Sequence, residues 1–195
     1  MPELTIDNVR EFYDHHNIDK GNRGWVKRKV LLDEIPKFMK GRVLEVGCGC
    51  GQIANEMVKR FPDYTAIDLS PKSIDVAKQS ASAVKFEGAD FVEYQPEGKF
   101  DTIAFFDSLE HFFDWRETIK KAVSLLKPRG TIIMNLPNPD FTKYCQKAEV
   151  FEHIIDNTIW LDEMLAEFKK LHLDLIYYWL YNIEFYKQYN FCVWG

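Results

Sequence analysis

The sequence predicts an α/β fold with a doubly wound, mostly parallel sheet. Three observations predict it: apolar runs of strand length alternate with helix-like stretches, a glycine-rich turn follows the first apolar run, and helix-capping residues open several of the intervening segments. Strands that alternate with helices form parallel sheets covered on both faces. Ligands of such folds lie at the carboxyl ends of the strands, so we expect the site there.

Seven strands are predicted. In chain order they are residues 43–46, 64–68, 83–88, 100–106, a run from Gly130, and two aromatic, β-prone runs near 173–181 and 188–194. Helices are predicted over 6–16, 24–39, 52–60, 70–79 and 114–126, with a helical and irregular stretch over 140–171. Capping residues mark two helix starts: Ser70 precedes Pro71, and Asp114 stands three residues before Glu117, as in a capping box.

Composition restricts the function classes. A chain of 195 residues with 46% hydrophobic and 15% aromatic residues predicts one globular domain without need of a metal or disulfide staple. No apolar run approaches the roughly 18 residues that cross a bilayer, and the charged N-terminal segment does not resemble a secretory signal, so a cytoplasmic location is expected. The net charge of −5 argues against a non-specific nucleic-acid binder. The four cysteines are expected to be reduced.

The glycine-rich turn directly follows strand one. Gly47, Gly49 and Gly51 alternate with other residues, so the chain can turn sharply and a ligand can lie against the backbone. A dinucleotide fingerprint needs its third glycine one position later, where this chain has Gln52. The Glu45 carboxylate would repel a pyrophosphate that it faced, and it suits a cationic ligand instead.

The run VLEVGCGCG, residues 43–51, resembles the first motif of the class I S-adenosylmethionine-dependent methyltransferases, whose cofactor carries an ammonium and a sulfonium and no phosphate. LLKPRGTIIM, residues 125–134, is similar to the family's turn before strand five, with Arg129 in place of the first of two glycines. The resemblance covers roughly residues 40–135 and implies a Rossmann-like, seven-stranded sheet with an N-terminal helical lid. It divides a single domain, 1–195, into lid helices 1–40, a cofactor-binding core 41–135, and a substrate rim with the last two strands 136–195.

The same resemblance assigns the cofactor contacts. Asp68, at the end of strand two, would bind the ribose hydroxyls, Asp90 the adenine amino group, and Phe91 the adenine through its backbone or ring face. Tyr13 would fold over the cofactor, while the neighbouring His15 and His16 are expected to face solvent. The remaining implied cofactor contacts are Glu45, Gly47, Cys48, Gly49, Leu69, Phe106 and Asp107.

His111 is the candidate catalytic residue, because it follows strand four on the side of the expected site. The cofactor supplies the reactive methyl group, so the protein mainly aligns the acceptor with it; such alignment is worth about 7–11 kcal/mol in well-oriented reactions. An imidazole, which titrates near pH 6.5 when unperturbed, could remove the proton of an acceptor hydroxyl. A positioned histidine therefore favours O-methylation over N-methylation.

A divalent metal is the alternative use of this segment. Asp107, Glu110 and His111 would share one face of a helix. Their pattern is similar to the E-x-x-E-H segment with which ubiquinone-pathway O-methyltransferases and small-RNA 3′-end 2′-O-methyltransferases hold a metal, and His153 could complete the set. The aspartate in place of the first glutamate and the acidic net charge count against the RNA version, and no metal ligand is assigned.

The sequence therefore favours a methyltransferase acting on a small-molecule acceptor. Aromatic residues in the 137–170 segment, Tyr144, Phe151 and Trp160, would line the acceptor side. Three other functions remain open: a nicotinamide-dependent oxidoreductase, a metal-assisted RNA 2′-O-methyltransferase, and a cofactor-binding protein without catalysis. The sequence indicates neither the acceptor nor the oligomeric state.

Overall fold

The computed structural model describes residues 4–20, 31–80, 83–148, 153–184 and 187–195. Three predictions fall partly or wholly outside these ranges. The residues concerned are 24–30 of the predicted helix 24–39, 149–152 of the stretch 140–171, and Phe151.

Seven strands form one sheet, which confirms the predicted fold class. They are β1 Val43–Val46, β2 Tyr64–Asp68, β3 Lys85–Gly88, β4 Phe100–Phe106, β5 Leu126–Pro137, β6 Leu175–Glu184 and β7 Lys187–Trp194. Their order in the sheet is β3-β2-β1-β4-β5-β7-β6. β7 runs antiparallel to both of its neighbours, whereas the pairs from β3 to β5 are parallel. The strand order reverses between β1 and β4, and in such sheets the ligand lies outside the carboxyl ends of these strands.

Helices cover both faces of the sheet. They are α1 Ile6–Lys20, α2 Leu31–Glu34, α3 Gln52–Met57, α4 Pro71–Ser80, α5 Trp115–Leu125, α6 Pro139–Lys147 and α7 Leu161–Lys170. Short 3₁₀ turns occupy Ile35–Lys37 and Leu109–His111. Both predicted caps are confirmed: the Asp114 carboxylate accepts from the backbone N–H groups of Arg116 and Glu117, and the Ser70 hydroxyl accepts from Ser73 N–H at 3.1 Å.

The central strands are buried on both faces, and this explains why they are apolar runs without alternation. Every residue of β1 and β2 is buried. On one face of the sheet Ile35 of the 3₁₀ turn belongs to the same core cluster as Val43. On the other face Phe168 of α7 stacks on Trp194, with ring centroids 4.2 Å apart. No helix in the described part of the chain is both long enough and apolar enough to span a membrane.

β5 begins four residues earlier than the glycine from which it was predicted. Leu126 pairs with Phe100, and the register then shifts before Thr102 pairs with Thr131. Arg129 lies within this irregular start with φ +62°, a left-handed conformation that favours glycine. The residue that the family pattern places here is glycine, so Arg129 keeps the conformation at an energetic cost.

We expect Arg129→Gly to raise the free energy of unfolding by about 1 kcal/mol, because it removes the clash of a Cβ atom in a left-handed residue. The Arg129 carbonyl, which accepts from Lys40 Nζ at 2.6 Å, belongs to the backbone and is retained. Urea unfolding measures the change. Lys120→Gly, in the middle of α5, is the control and should lower stability by about 1 kcal/mol. A lower stability of Arg129→Gly would contradict the strain.

Candidate active site

The turn after β1 has the backbone conformation that only glycine adopts without strain. Gly47, Gly49 and Gly51 have φ values of +74°, +53° and +78°. A Cβ atom on Gly47 would lie 2.5 Å from Cβ of Ser108, which follows β4. The Ser108 hydroxyl donates to the Val46 carbonyl at 2.7 Å, so the ends of β1 and β4 are joined across the site. The glycine loop therefore lies directly at the reversal of strand order.

Asp68 ties this loop to the end of β2. One carboxylate oxygen accepts from Gly49 N–H at 2.7 Å and the other from Ser70 N–H at 2.9 Å. Burial raises the Asp68 pKa, and the two backbone hydrogen bonds oppose that rise. Each carboxylate oxygen can accept more than one hydrogen bond, so the orientation is fixed while acceptor capacity for a cis-diol remains.

Glu45 is buried in the middle of β1, with an exposed fraction of 2%. Its carboxylate accepts from the Tyr64 hydroxyl at 2.8 Å, and burial, followed by the charge of Glu45, raises the pKa of Tyr64. Cys48 is also buried, and burial raises its thiol pKa, so it is a neutral, space-filling side chain. Two acidic groups, Glu45 and Asp68, thus flank the glycine loop, an arrangement that fits a positively charged ligand.

The segment after β3 contains Asp90 and Phe91. The Asp90 carboxylate accepts from Val92 N–H at 2.9 Å. The Asp90 side chain is half-buried. The Phe91 ring is 2% exposed and makes edge-to-face contacts with Phe105 and Phe112. Phe91 was predicted to contact the adenine through its backbone or its ring face. Since the ring packs in the core, the backbone is the part available to an adenine.

Two other implied cofactor contacts differ in their exposure. Leu69, next to Asp68, is half-buried, whereas Phe106 at the end of β4 is buried, with an exposed fraction of 3%. The backbone of Phe106, which is paired with Asn135 of β5, is still at the carboxyl edge of the sheet.

Asp107 directly follows β4 and is a non-glycine residue with φ +50°. Its backbone N–H donates to the Asn135 carbonyl at 3.0 Å, and the Asn135 side-chain amide donates to its carboxylate. Non-glycine residues in this conformation cluster at functional sites, where neighbouring contacts hold them in place. Asn135, fully buried in β5, is thus the residue that fixes the Asp107 side chain.

His111 ends the 3₁₀ turn after β4. Its Nδ1 lies 2.8 Å from the Ile155 carbonyl oxygen. A carbonyl oxygen can only accept, so Nδ1 must donate a proton, and in the neutral ring the lone pair is on Nε2. Nε2 lies 3.8 Å from the Glu110 carboxylate. The Ile155 carbonyl therefore selects the tautomer in which Nε2 is the basic nitrogen, and the Glu110 carboxylate would stabilise a proton that Nε2 takes up.

Helix α1 brings aromatic and imidazole rings over His111. The Tyr13 hydroxyl lies 3.5 Å from Nδ1 of His153, and the His153 ring stacks on His111 with centroids 4.1 Å apart. Burial and the nearby charges of Glu110 and Asp68 raise the pKa of Tyr13, so it stays a neutral phenol. Tyr13 therefore lies near both the candidate base and the acid at the end of β2.

His15 and His16, which are adjacent in α1, were both predicted to face solvent, and the structure confirms this for His15 alone. His15 is exposed, as expected. His16 is half-buried and lies 4.6 Å, centroid to centroid, from His153. The prediction for His16 is wrong because His153 packs against its ring, a contact between distant parts of the chain.

The residues considered for the alternative metal site do not form the predicted arrangement. The described residues contain no group of three or more acidic, imidazole or thiol side chains that could hold a metal ion. Asp107 has a left-handed backbone and precedes a 3₁₀ turn, so Asp107, Glu110 and His111 do not share a helix face as predicted. The imidazoles of His111 and His153 are stacked, with ring centroids 4.1 Å apart and ring planes 24° from parallel.

Comparison with known proteins decides the family. A family model described as a methyltransferase domain matches residues 15–188. The chain belongs to the class I methyltransferase family. Within this family it is 30% identical over 155 residues to a ubiquinone biosynthesis O-methyltransferase of Aromatoleum aromaticum, covering 76% of this chain and 64% of that protein. The corresponding Xanthomonas campestris protein is 36% identical over 104 residues, 50% of this chain and 43% of that one. The chain thus spans less than two thirds of these relatives' length.

Solved structures of other methyltransferases share the fold. Magnesium protoporphyrin IX methyltransferase from Synechocystis, with bound SAH, superposes with a TM-score of 0.78 at 16% identity, over 97% of this chain and 98% of that one. The N-methyltransferase NodS from Bradyrhizobium japonicum gives a TM-score of 0.68 at 17% identity, over 90% and 97% of the two chains. At these identities the likeness concerns the architecture of the methyltransferase sheet.

Sequence reasoning missed two of the residues that shape the methyltransferase site. Asn135 is a polar residue inside the apolar run GTIIMNL, and that contrast was a usable signal. Ser108 had no such signal, because its role depends on the approach of the loop after β4 to Gly47 and Val46.

Proposed function

We propose that this methyltransferase binds S-adenosylmethionine and transfers its methyl group to a small-molecule acceptor, with a hydroxyl oxygen as the acceptor atom. The observation that carries the proposal is the placement of Asp68. Its buried carboxylate is locked between the glycine loop and the start of α4, at the carboxyl end of β2, with the basic nitrogen of His111 in the neighbouring loop.

The residues at the sheet edge fit the cofactor's chemistry. Asp68 can accept from the two ribose hydroxyls, Asp90 can accept from the adenine amino group, and the glycine turn allows close approach of the amino-acid part. The acidic character of Glu45 and Asp68 matches the ammonium and sulfonium charges. Tyr13 would cover the bound cofactor from the side of α1. The cofactor supplies an electrophilic methyl group when bound, and the chain aligns the acceptor with it.

His111 would remove the acceptor's proton. With Nδ1 donating to the Ile155 carbonyl, Nε2 has the lone pair that a general base needs. A base is required for a hydroxyl acceptor and not for an amine that binds unprotonated. The relatives described as O-methyltransferases agree with this choice.

Titration calorimetry tests the cofactor assignment. We expect micromolar affinity for S-adenosylmethionine and for its demethylated product, and no heat of binding with NAD, because the turn lacks the glycine spacing for a pyrophosphate. The opposite ranking would overturn the proposal. Incubation with a methyl-labelled cofactor and a metabolite extract then identifies the acceptor by its gain of one methyl group. Transfer of the labelled methyl group to an amine nitrogen, and not to a hydroxyl oxygen, would contradict O-methylation.

A further inference from the structure

One side chain outside the predicted site clamps the segment that faces His111. The Nδ2 amide of Asn157 donates to the Glu110 carbonyl at 2.9 Å and to the Phe112 carbonyl at 2.7 Å. Its backbone N–H donates to the same Glu110 carbonyl at 2.8 Å. The two accepting carbonyls belong to the residues on either side of His111, so Asn157 attaches segment 153–158 to the turn that carries the candidate base.

Helix α6 holds the same segment from its other side. Gln146 donates through Nε2 to the Asp156 carbonyl at 3.0 Å, and the Thr158 hydroxyl donates to Gln146 Oε1 at 3.3 Å. Ile155 directly precedes Asp156, whose carbonyl accepts from Gln146, and it lies two positions before Asn157. The Ile155 oxygen lies 2.8 Å from His111 Nδ1.

We propose that Asn157 is a positioning residue that sets the tautomer of His111. It acts through the backbone: its side chain fixes segment 153–158 against the turn, the Ile155 carbonyl then faces Nδ1, and the proton is held on Nδ1 and kept off Nε2. The inference rests on the proposed function, since a fixed tautomer matters to a residue that must accept a proton. A hydrogen-bonded partner on one ring nitrogen is the usual means by which proteins set which nitrogen is basic.

The test exchanges the donating amide for a carboxylate of the same shape. In Asn157→Asp the side chain can no longer donate, and its oxygens face two carbonyl oxygens. The matched control is Asn8→Asp in α1, where the exposed side chain accepts from Thr5 N–H at 3.1 Å and from the Thr5 hydroxyl at 2.8 Å. A carboxylate can accept equally well, so the same chemical exchange leaves these bonds intact.

Two measurements are made at pH 8, the first on the protein saturated with S-adenosylhomocysteine and the second on the protein without ligand. Nitrogen-15 chemical shifts of the His111 ring, assigned by their loss in His111→Gln, report which nitrogen carries the proton. Calorimetry with S-adenosylhomocysteine reports the cofactor site. We expect protonated Nδ1 and unprotonated Nε2 in the parent and in Asn8→Asp. Asn157→Asp should give averaged shifts that show both tautomers, with the affinity changed less than about threefold, equivalent to 0.6 kcal/mol.

Two outcomes would overturn the inference. Parent shifts that place the proton on Nε2 would do so whether or not any variant folds. Unchanged His111 shifts in a folded Asn157→Asp would show that the clamp does not set the tautomer. If Asn157→Asp does not fold, Asn157→Ala, which removes the same donating amide without adding a charge, must give the averaged shifts instead. Absence of S-adenosylhomocysteine binding to the parent would contradict the proposed function and leave the tautomer measurement, repeated without the ligand, to decide the inference.

Discussion

Replacing His111 with glutamine is expected to lower kcat for methyl transfer about 10²–10⁴-fold, the range that a positioned general base contributes. Glutamine has a similar length and can donate to the Ile155 carbonyl through its amide, but it cannot accept a proton at neutral pH. The loss corresponds to about 3–5 kcal/mol of transition-state stabilisation. The rate is measured with the acceptor identified by methyl labelling, at saturating cofactor.

His15→Gln is the control for this experiment, because His15 lies in α1 with an exposed side chain. We expect it to turn over at the parent rate. The affinity of His111→Gln for S-adenosylhomocysteine should equal that of the parent, since His111 is assigned to the acceptor and not to the cofactor. A parent-like kcat in His111→Gln would show that the acceptor needs no base and would remove the argument for a hydroxyl.

Replacing Asp68 with asparagine is expected to weaken S-adenosylhomocysteine binding about 10–100-fold. The substitution removes a charged acceptor, and hydrogen bonds to charged groups contribute about 1.5–3 kcal/mol each. Asp75→Asn, on the exposed face of α4, is the control and should bind like the parent. Calorimetry measures both. Parent-like affinity in Asp68→Asn would contradict the assignment of this carboxylate to the ribose.

Asp68→Ala is a different experiment, because the carboxylate also holds the backbone N–H groups of Gly49 and Ser70. Alanine leaves both donors without that acceptor, at a cost of about 1–3 kcal/mol for each buried group. We therefore expect Asp68→Ala to lower the free energy of unfolding in urea as well as the affinity. Asparagine keeps one accepting oxygen and turns its NH2 group toward the other N–H donor, so it disturbs the loop less than alanine and is the better test of binding, with its unfolding in urea measured beside the affinity.

The raised pKa of Asp68 adds a pH dependence to this prediction. The ribose hydroxyls donate more strongly to the ionised carboxylate than to the protonated one, so affinity should fall as the pH is lowered through the Asp68 pKa. Burial raises that pKa, so the loss of affinity should begin at a higher pH than for an ordinary aspartate, whose pKa is about 3.9. In Asp68→Asn this dependence should disappear.

The sequence was sufficient where local patterns decide the structure. β1, β2 and β4 have the predicted bounds, because each is a buried apolar run between turn residues. The start of β5 was misplaced, because Leu126 joins the strand by pairing with Phe100, a contact that no local pattern records. The end of the helix after Asp114 was correct within one residue, since its capping pattern is local.

The same division holds at the site. The glycine loop was found from its spacing and Asp68 from the family resemblance, and the structure brings them into direct contact. The contacts around His111 could not be found, because the Ile155 carbonyl reaches its ring, and Asn157 reaches the carbonyls of Glu110 and Phe112, only through folding of a segment more than 40 residues away in the chain. The helix-face argument for a metal site was wrong, because the strained Asp107 ends the strand before a 3₁₀ turn begins.

A crystal structure of the chain with S-adenosylhomocysteine most directly tests whether the cofactor binds at the carboxyl ends of β1, β2 and β4. The ribose hydroxyls are expected within hydrogen-bonding distance of the Asp68 carboxylate, with the adenine beside Asp90 and the sulfur directed toward the His111 side. An empty sheet edge at saturating ligand, or a pyrophosphate bound on the glycine turn when NAD is supplied instead, would contradict the claim that this site holds a sulfonium nucleoside.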